Sequence, residues 1–80
     1  MEKIVIYADG GSRGNPGPAG AGVAIADGKG NMIKEYSSFL GVKTNNEAEY
    51  EAVIFGLQKI KALLGKEKIK NTEIEFRLDS

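Results

Sequence analysis

At 80 residues the chain holds one domain at most. Hydrophobic residues make up 41% and charged residues 28%, the balance of an ordinary globular chain rather than a disordered or membrane-embedded one. The 11 basic residues cancel the 11 acidic ones, which excludes a chain-wide electrostatic grip on an anionic partner, so any basic footprint must be local.

There is no cysteine and no histidine. Disulfides, thiolate metal sites, histidine zinc sites and serine–histidine triads are therefore excluded. A bound metal would have to rest on oxygen ligands, which favours magnesium, manganese or calcium. No stretch approaches the length of a membrane span. The apolar run near the start is too short for a signal peptide, and Asp9 ends it. The default reading is a cytoplasmic protein with no membrane partner.

In chain order, Ile4-Val5-Ile6-Tyr7-Ala8 is a short apolar run rich in β-branched residues, the signature of a central strand buried on both faces. Asp9 closes it. Gly10 to Gly20 is a dense set of turn formers and predicts neither a helix nor an inner strand. Gly22 to Ala26 reads as a second strand, Asp27-Gly28-Lys29-Gly30-Asn31 as a hairpin turn, and about Met32 to Leu40 as a third strand. Thr44 with Glu47 three residues on is a capping box that opens a helix. Tyr50, Val53, Leu57, Ile60 and Leu64 recur at helical spacing, and Gly65 stops the pattern. Thr72 to Leu78 alternates polar with apolar as a fourth strand. The order strand-strand-strand-helix-strand predicts an α/β fold. Its sheet is mixed, with three antiparallel strands and a fourth returned parallel to the first by the helical crossover.

The chemistry lies in the carboxylates. Asp9 and Asp79 each end a predicted strand and precede a small residue. On adjacent parallel strands both would emerge at one edge of the sheet, where two anions repel unless a cation lies between them. Aspartate also ends strands for its turn preference alone. On the helix, Glu49 falls roughly 40° from Val53, within the apolar stripe, whereas Glu47 and Glu51 fall roughly 120° and 160° away. A carboxylate on a packing face is costly unless it is paired, hydrogen-bonded or metal-bound. The glycine-rich loop lacks the Gly-Lys-Ser/Thr ending of a triphosphate loop, and a strand follows it where a dinucleotide fold needs a helix. Its amides, with Arg13 and Asn15, suit a sugar–phosphate backbone as well as a plain connection. Lys59, Lys61, Lys66, Lys68 and Lys70 form the densest basic cluster, and read as a solvated helix end and turn.

Three motifs resemble those of a known family. Asp9-Gly10-Gly11-Ser12-Arg13-Gly14-Asn15-Pro16-Gly17-Pro18 resembles the first-strand motif of type 1 ribonuclease H. Thr44-Asn45-Asn46-Glu47-Ala48-Glu49-Tyr50 resembles its helix motif, and Leu78-Asp79-Ser80 its fourth-strand motif. The resemblance implies a ribonuclease H-like fold and cleavage of the RNA strand of an RNA–DNA hybrid. It implies a centre of four carboxylates holding two divalent ions, Mg2+ or Mn2+. Asp9, Glu49 and Asp79 match three of the four. It also implies Gly10, Gly11, Ser12, Arg13, Asn15, Asn45 and Asn46 as nucleic-acid-binding residues, the asparagines sensing the 2′-hydroxyl that marks RNA.

The fourth carboxylate, the fifth strand and the later helices of the family have no counterpart in residues 1–80. The expectation is therefore an incomplete domain, inactive alone, whose exposed fourth strand offers an edge for self-association or for a complementing segment. The rival reading is a non-catalytic fragment of a ribonuclease H-like protein that binds nucleic acid or serves assembly.

Overall fold

The computed structural model describes residues 2–78. In chain order the elements are β1 (Glu2–Ser12), β2 (Gly17–Asp27), β3 (Met32–Lys43), α1 (Asn45–Lys70) and β4 (Thr72–Leu78). The strands form one four-stranded sheet in the order β3-β2-β1-β4. β1 pairs antiparallel with β2 and parallel with β4, and β2 pairs antiparallel with β3. This is the mixed topology expected from the element order.

Helix α1 covers one face of the sheet. Ile4, Ile6 and Ala8 of β1 and Ala21, Val23 and Ile25 of β2 form the buried floor, against which Ala52 and Ile60 of the helix pack. Phe55, Leu64, Tyr36, Ile74 and Phe76 close its margins. The alternation of strand side chains puts the odd-numbered residues of β1 on the other face. There Val5 is buried but Tyr7 is 41% exposed, so β1 is covered on both sides only near its start. Lys3 bridges Glu75 at 3.1 Å and Glu73 at 3.8 Å on that face, Arg77 pairs with Glu75, and the Arg77 guanidinium lies 5.7 Å from the centre of the Tyr7 ring. These contacts join β4 to β1 in the register Tyr7–Arg77.

The local signals hold where they are local. Thr44 is the N-cap of α1, and the capping box with Glu47 is complete in both directions. Asp27 organises the β2–β3 turn by accepting the Lys29 and Asn31 backbone N–H groups at 2.9 Å each. Gly65 takes a positive φ of 79° and breaks the helix, after which a short helical segment carries the chain to Lys70.

The glycine-rich region differs from the expectation. β1 does not close at Asp9 but runs on through Gly10, Gly11 and Ser12, and β2 begins at Gly17, so the true connection is only residues 13–16. Gly10 pairs with Ala21, Gly11 with Gly20 and Ser12 with Ala19. Glycine is a poor strand former on propensity, but here its lack of a side chain is what the fold uses. A methyl group at position 10 would overlap the Ala48 carbonyl oxygen and approach Glu49 N to 3.0 Å. The strand continues as glycine because the helix N-terminus rests directly on its backbone.

The packing face of α1 also differs. The buried residues are Ala48, Ala52, Gly56 and Ile60, at successive four-residue steps. Tyr50 is 69% and Leu57 47% exposed. The isoleucines and valine of the sheet already fill the interface, so the helix presents small residues to it. At Gly56 a methyl group would sit 2.8 Å from the Phe76 ring. Among the described residues no helix is long and apolar enough to cross a membrane.

Candidate active site

The contact between Gly10 and the Ala48–Glu49 peptide sets the geometry of the site. It seats the turn of α1 that carries Glu49 against the backbone of the β1 residue that follows Asp9. Asp9 is exposed and opens into a groove of about 720 Å³ on the open face of the sheet, shared with Tyr7, Glu35, Ser37 and Arg77. Glu49 is exposed at the helix N-terminus. Although it falls only about 60° from Ala52 on the helical wheel, Glu49 is exposed, because it lies in the opening turns, at the end of the helix; Glu51, about 100° from Ala52, is half-buried. The helical-wheel argument for singling out Glu49 therefore fails, and its place beside Gly10 takes over that role.

Around this contact the motif asparagines form a network. Asn45 N–H donates to Asn15 Oδ1 at 3.0 Å, which satisfies one orphan amide of the first helical turn and ties the 13–16 loop to the helix. Ser12 N–H donates to Asn45 Oδ1 at 3.2 Å, and Asn45 Nδ2 donates to Glu49 Oε1 at 3.4 Å. Gly11 lies beside the same amide, since a methyl group there would sit 3.5 Å from Asn45 Oδ1. Arg13 N–H donates to the Pro18 carbonyl at 2.8 Å and leaves its side chain exposed. Asn46 is exposed and makes no side-chain hydrogen bond among the described residues. The link from Asn45 to Glu49 was open to sequence reasoning, because residues four apart on a helix are neighbours.

The electrostatics suit an oxygen-ligated cation in part. Among the described residues neither Asp9 nor Glu49 takes part in an ion pair. No three acidic side chains gather as a metal-binding group among the described residues. Asp79, with Ser80, lies outside the described residues; Leu78 before it pairs with Ala8, the residue before Asp9. Glu47 is held below the ordinary glutamate range by the Thr44 backbone N–H and then by the Thr44 side chain, in keeping with a capping rather than a ligating role. The lysines do not make one basic face. Lys59 lies over the rings of Tyr36 and Phe55, 4.9 and 5.5 Å from their centres, and Lys68 pairs with Glu2 at 3.7 Å.

Comparison with known proteins places this geometry. The family model described as RNase H matches residues 1–80. Ribonuclease HI of Halobacterium salinarum is 45% identical over 56 residues, a match covering 70% of this chain and 28% of that protein. The structure of LC11-RNase H1, isolated from compost by a metagenomic approach, superposes with a TM-score of 0.90 at 52% identity, covering all of this chain and 56% of the other. A crystal structure of LC11-RNase H1 in complex with RNA/DNA hybrid matches with a TM-score of 0.86 at 51% identity, over 96% of this chain and 54% of that one. The chain thus spans between about a quarter and just over half of the length of these relatives.

Proposed function

Because the chain belongs to the RNase H family, we propose that its protein hydrolyses the RNA strand of RNA–DNA hybrids, with residues 1–80 as the N-terminal portion of the catalytic domain. The observation that carries the reading is the Gly10 contact, which seats the helix turn of Glu49 on the strand residue next to Asp9, while among the described residues neither carboxylate has a basic partner. The LC11 relative bound to RNA/DNA hybrid supports the choice of substrate.

In this reading Asp9, Glu49 and Asp79 are the ligands of Mg2+ or Mn2+, two ions at full occupancy. Carboxylate oxygens are the donors such hard cations prefer. Bound there, the ions would supply Lewis-acid stabilisation of a phosphodiester and a more acidic water. The remaining residues bind and orient. Gly10 and Gly11 keep the strand end bare of side chains, so that backbone can approach backbone. Arg13 presents a cation, and Ser12 and Asn15 polar side chains, to the sugar–phosphate chain. Asn45 and Asn46 at the helix N-terminus, with Asn15, suit the 2′-hydroxyl of RNA; among the described residues the Asn46 side chain makes no hydrogen bond. We place the protein in the cytoplasm, and regard the edge of β4 as the point where self-association or a complementing segment would extend the sheet.

A hybrid-cleavage assay with purified protein, with and without Mg2+, tests the reading. RNA-strand cleavage that requires the metal and disappears in Asp9→Asn is the expected result. Hybrid binding without cleavage would instead favour a non-catalytic nucleic-acid-binding protein, and neither binding nor cleavage would overturn both.

A further inference from the structure

We propose that Phe39 and the bare glycine floor beside it form a seat for one unpaired nucleobase next to the catalytic groove; this rests on the proposed function in taking an RNA–DNA hybrid as the substrate. Phe39 is 76% exposed, the highest value for a large apolar side chain among the described residues. It pairs across the sheet with Gly20, and Gly20 pairs with Gly11. One row along, Ser37 pairs with Gly22 and Gly22 with Asp9. Cross-strand partners share a face, and here it is the face away from α1, because the intervening Ala21 and Val23 belong to the core. The floor between the Phe39 ring and Asp9 is therefore the backbone of Gly11, Gly20 and Gly22.

The fold does not require glycine at positions 20 and 22. A methyl group at Gly20 would meet only the Ser38 carbonyl oxygen at 3.5 Å, and one at Gly22 only the Tyr36 carbonyl oxygen at 4.0 Å, both ordinary contacts. Neither glycine has a positive φ. Gly10 is the opposite case, since a methyl group there would overlap the Ala48 carbonyl. Glycine weakens the interior of a strand. Where a side chain would fit and glycine stands instead, something outside the sheet approaches the backbone closely.

The groups around the floor suit a nucleotide. Phe39 and Arg13 line one shallow depression of about 510 Å³, and Phe39 and Asp9 line a second of about 490 Å³. An exposed aromatic ring offers a stacking face to any base, and a guanidinium beside it meets phosphate. Strand spacing and rise put Phe39 roughly 12 Å from Asp9, beyond the step at which that carboxylate acts. A base paired within a hybrid has both faces covered by its neighbours. The base that reaches Phe39 is therefore unpaired, in a single-stranded tail that adjoins the hybrid.

Fluorescence anisotropy in an Asp9→Asn background with Mg2+ keeps the hybrid intact and compares two probes. One is a blunt hybrid, the other the same hybrid with a short unpaired tail, placed on each strand in turn. The tailed hybrid should bind about 10–100-fold more tightly than the blunt one. Adding Phe39→Ala should bring that ratio close to one without weakening the blunt hybrid, and Phe39→Trp should preserve it. Gly20→Val fills the floor with a residue that suits a strand, so the ratio should fall while the melting temperature stays at or above that of the parent. The Phe39 ring is exposed, so Phe39→Ala should melt close to the parent as well. No preference for a tail, a preference unchanged by Phe39→Ala, or a loss shared equally by both probes would overturn the proposal. Equal binding of both probes would refute this seat alone, whereas binding of neither would refute the proposed function and the seat with it.

Discussion

The two ends of helix α1 are built on opposite plans. At the N-terminus the Thr44 and Asn45 N–H groups are met by the side chains of Glu47 and Asn15, and Glu47 N–H is met by Thr44 Oγ1. The first turn also rests on the bare backbone of Gly10. At the other end Gly65 breaks the helix in open space, lysines surround it, and the Asn71 and Thr72 side chains reach back to single carbonyls. One end is over-determined by residues from three separate parts of the chain. The caps of the other come from its immediate neighbours. The candidate site lies at the over-determined end, as expected if its carboxylates must be held still before a substrate arrives.

The sharpest way to test this contrast is to exchange one glutamate at each end. Glu49→Gln should lower metal-dependent hybrid cleavage by more than the roughly 100-fold that bounds the loss of an outer partner. Glu67→Gln, near the Gly65 break, should leave it close to wild type. Steady-state kinetics on both variants decides the matter, and equal losses would remove the distinction between the ends. Next in size is Gly10→Ala. The added methyl group meets backbone on the helix, which cannot swing away as a side chain could. Destabilisation at or above the upper end of the usual overpacking range, about 1–3 kcal/mol, should appear in urea unfolding. Gly56→Ala should cost less, because the atom it meets is the far edge of the Phe76 ring.

Smaller effects separate capping from backbone strain. Thr44→Ala removes the side-chain acceptor of the capping box and should cost about 1 kcal/mol. Gly65→Ala meets no neighbour at all, so its cost is that of a side chain at φ 79° and ψ 170°, a conformation nearly confined to glycine, about 1–3 kcal/mol. Thermal melts of the two variants should both fall. Only Thr44→Ala should also disturb the amide signals of Asn45 and Glu47, since only it acts at the end shared with the loop.

The contrast also explains what could be read from the sequence. The turn at Asp27, the capping box, the Gly65 break and strand β4 are legible because each rests on residues a few positions apart. The order of elements then determines the mixed sheet. The extension of β1 through Gly10, Gly11 and Ser12 is not legible that way. A glycine run in a strand looks the same as a loop until the helix lying across it is known. The inward face of α1 misleads for a related reason. Periodicity weights large apolar residues such as Tyr50 and Leu57, while the sheet selects for the small ones, Ala48, Ala52 and Gly56. Asp9 and Glu49 were identifiable from their motifs, but the seating of the Glu49 turn on the strand end next to Asp9 depends on Gly10. The tie between the helix start and the strand end shows only once Ser12, thirty-three residues before Asn45, is seen to bond with it. Asp79 lies outside the described residues, and its place among the ligands rests on the family motif.

The smallest effect concerns protons. Glu47 accepts hydrogen bonds as a carboxylate, first from Thr44 N–H, and its pKa falls below the ordinary 4.5. A group whose folded pKa is depressed adds stability that is complete above the unfolded value and is lost as pH falls through the folded one. The capping box should therefore weaken on acidification below about 4.5, and not between neutrality and that point. Asp27, held low first by the Asn31 backbone N–H, and Glu75, held low first by Arg77, lose stability in the same direction. A bare acid melt of the protein cannot separate the three. The difference between wild type and Glu47→Gln can, because glutamine still accepts from Thr44 N–H but does not titrate. The gap in melting temperature between the two should be constant from neutrality down to the glutamate range and then close as acid protonates Glu47. Because Glu47 is fully exposed, that closure should be slight and should shrink further in high salt. A gap that widened on acidification would mean that the box is held by something other than the Glu47 charge.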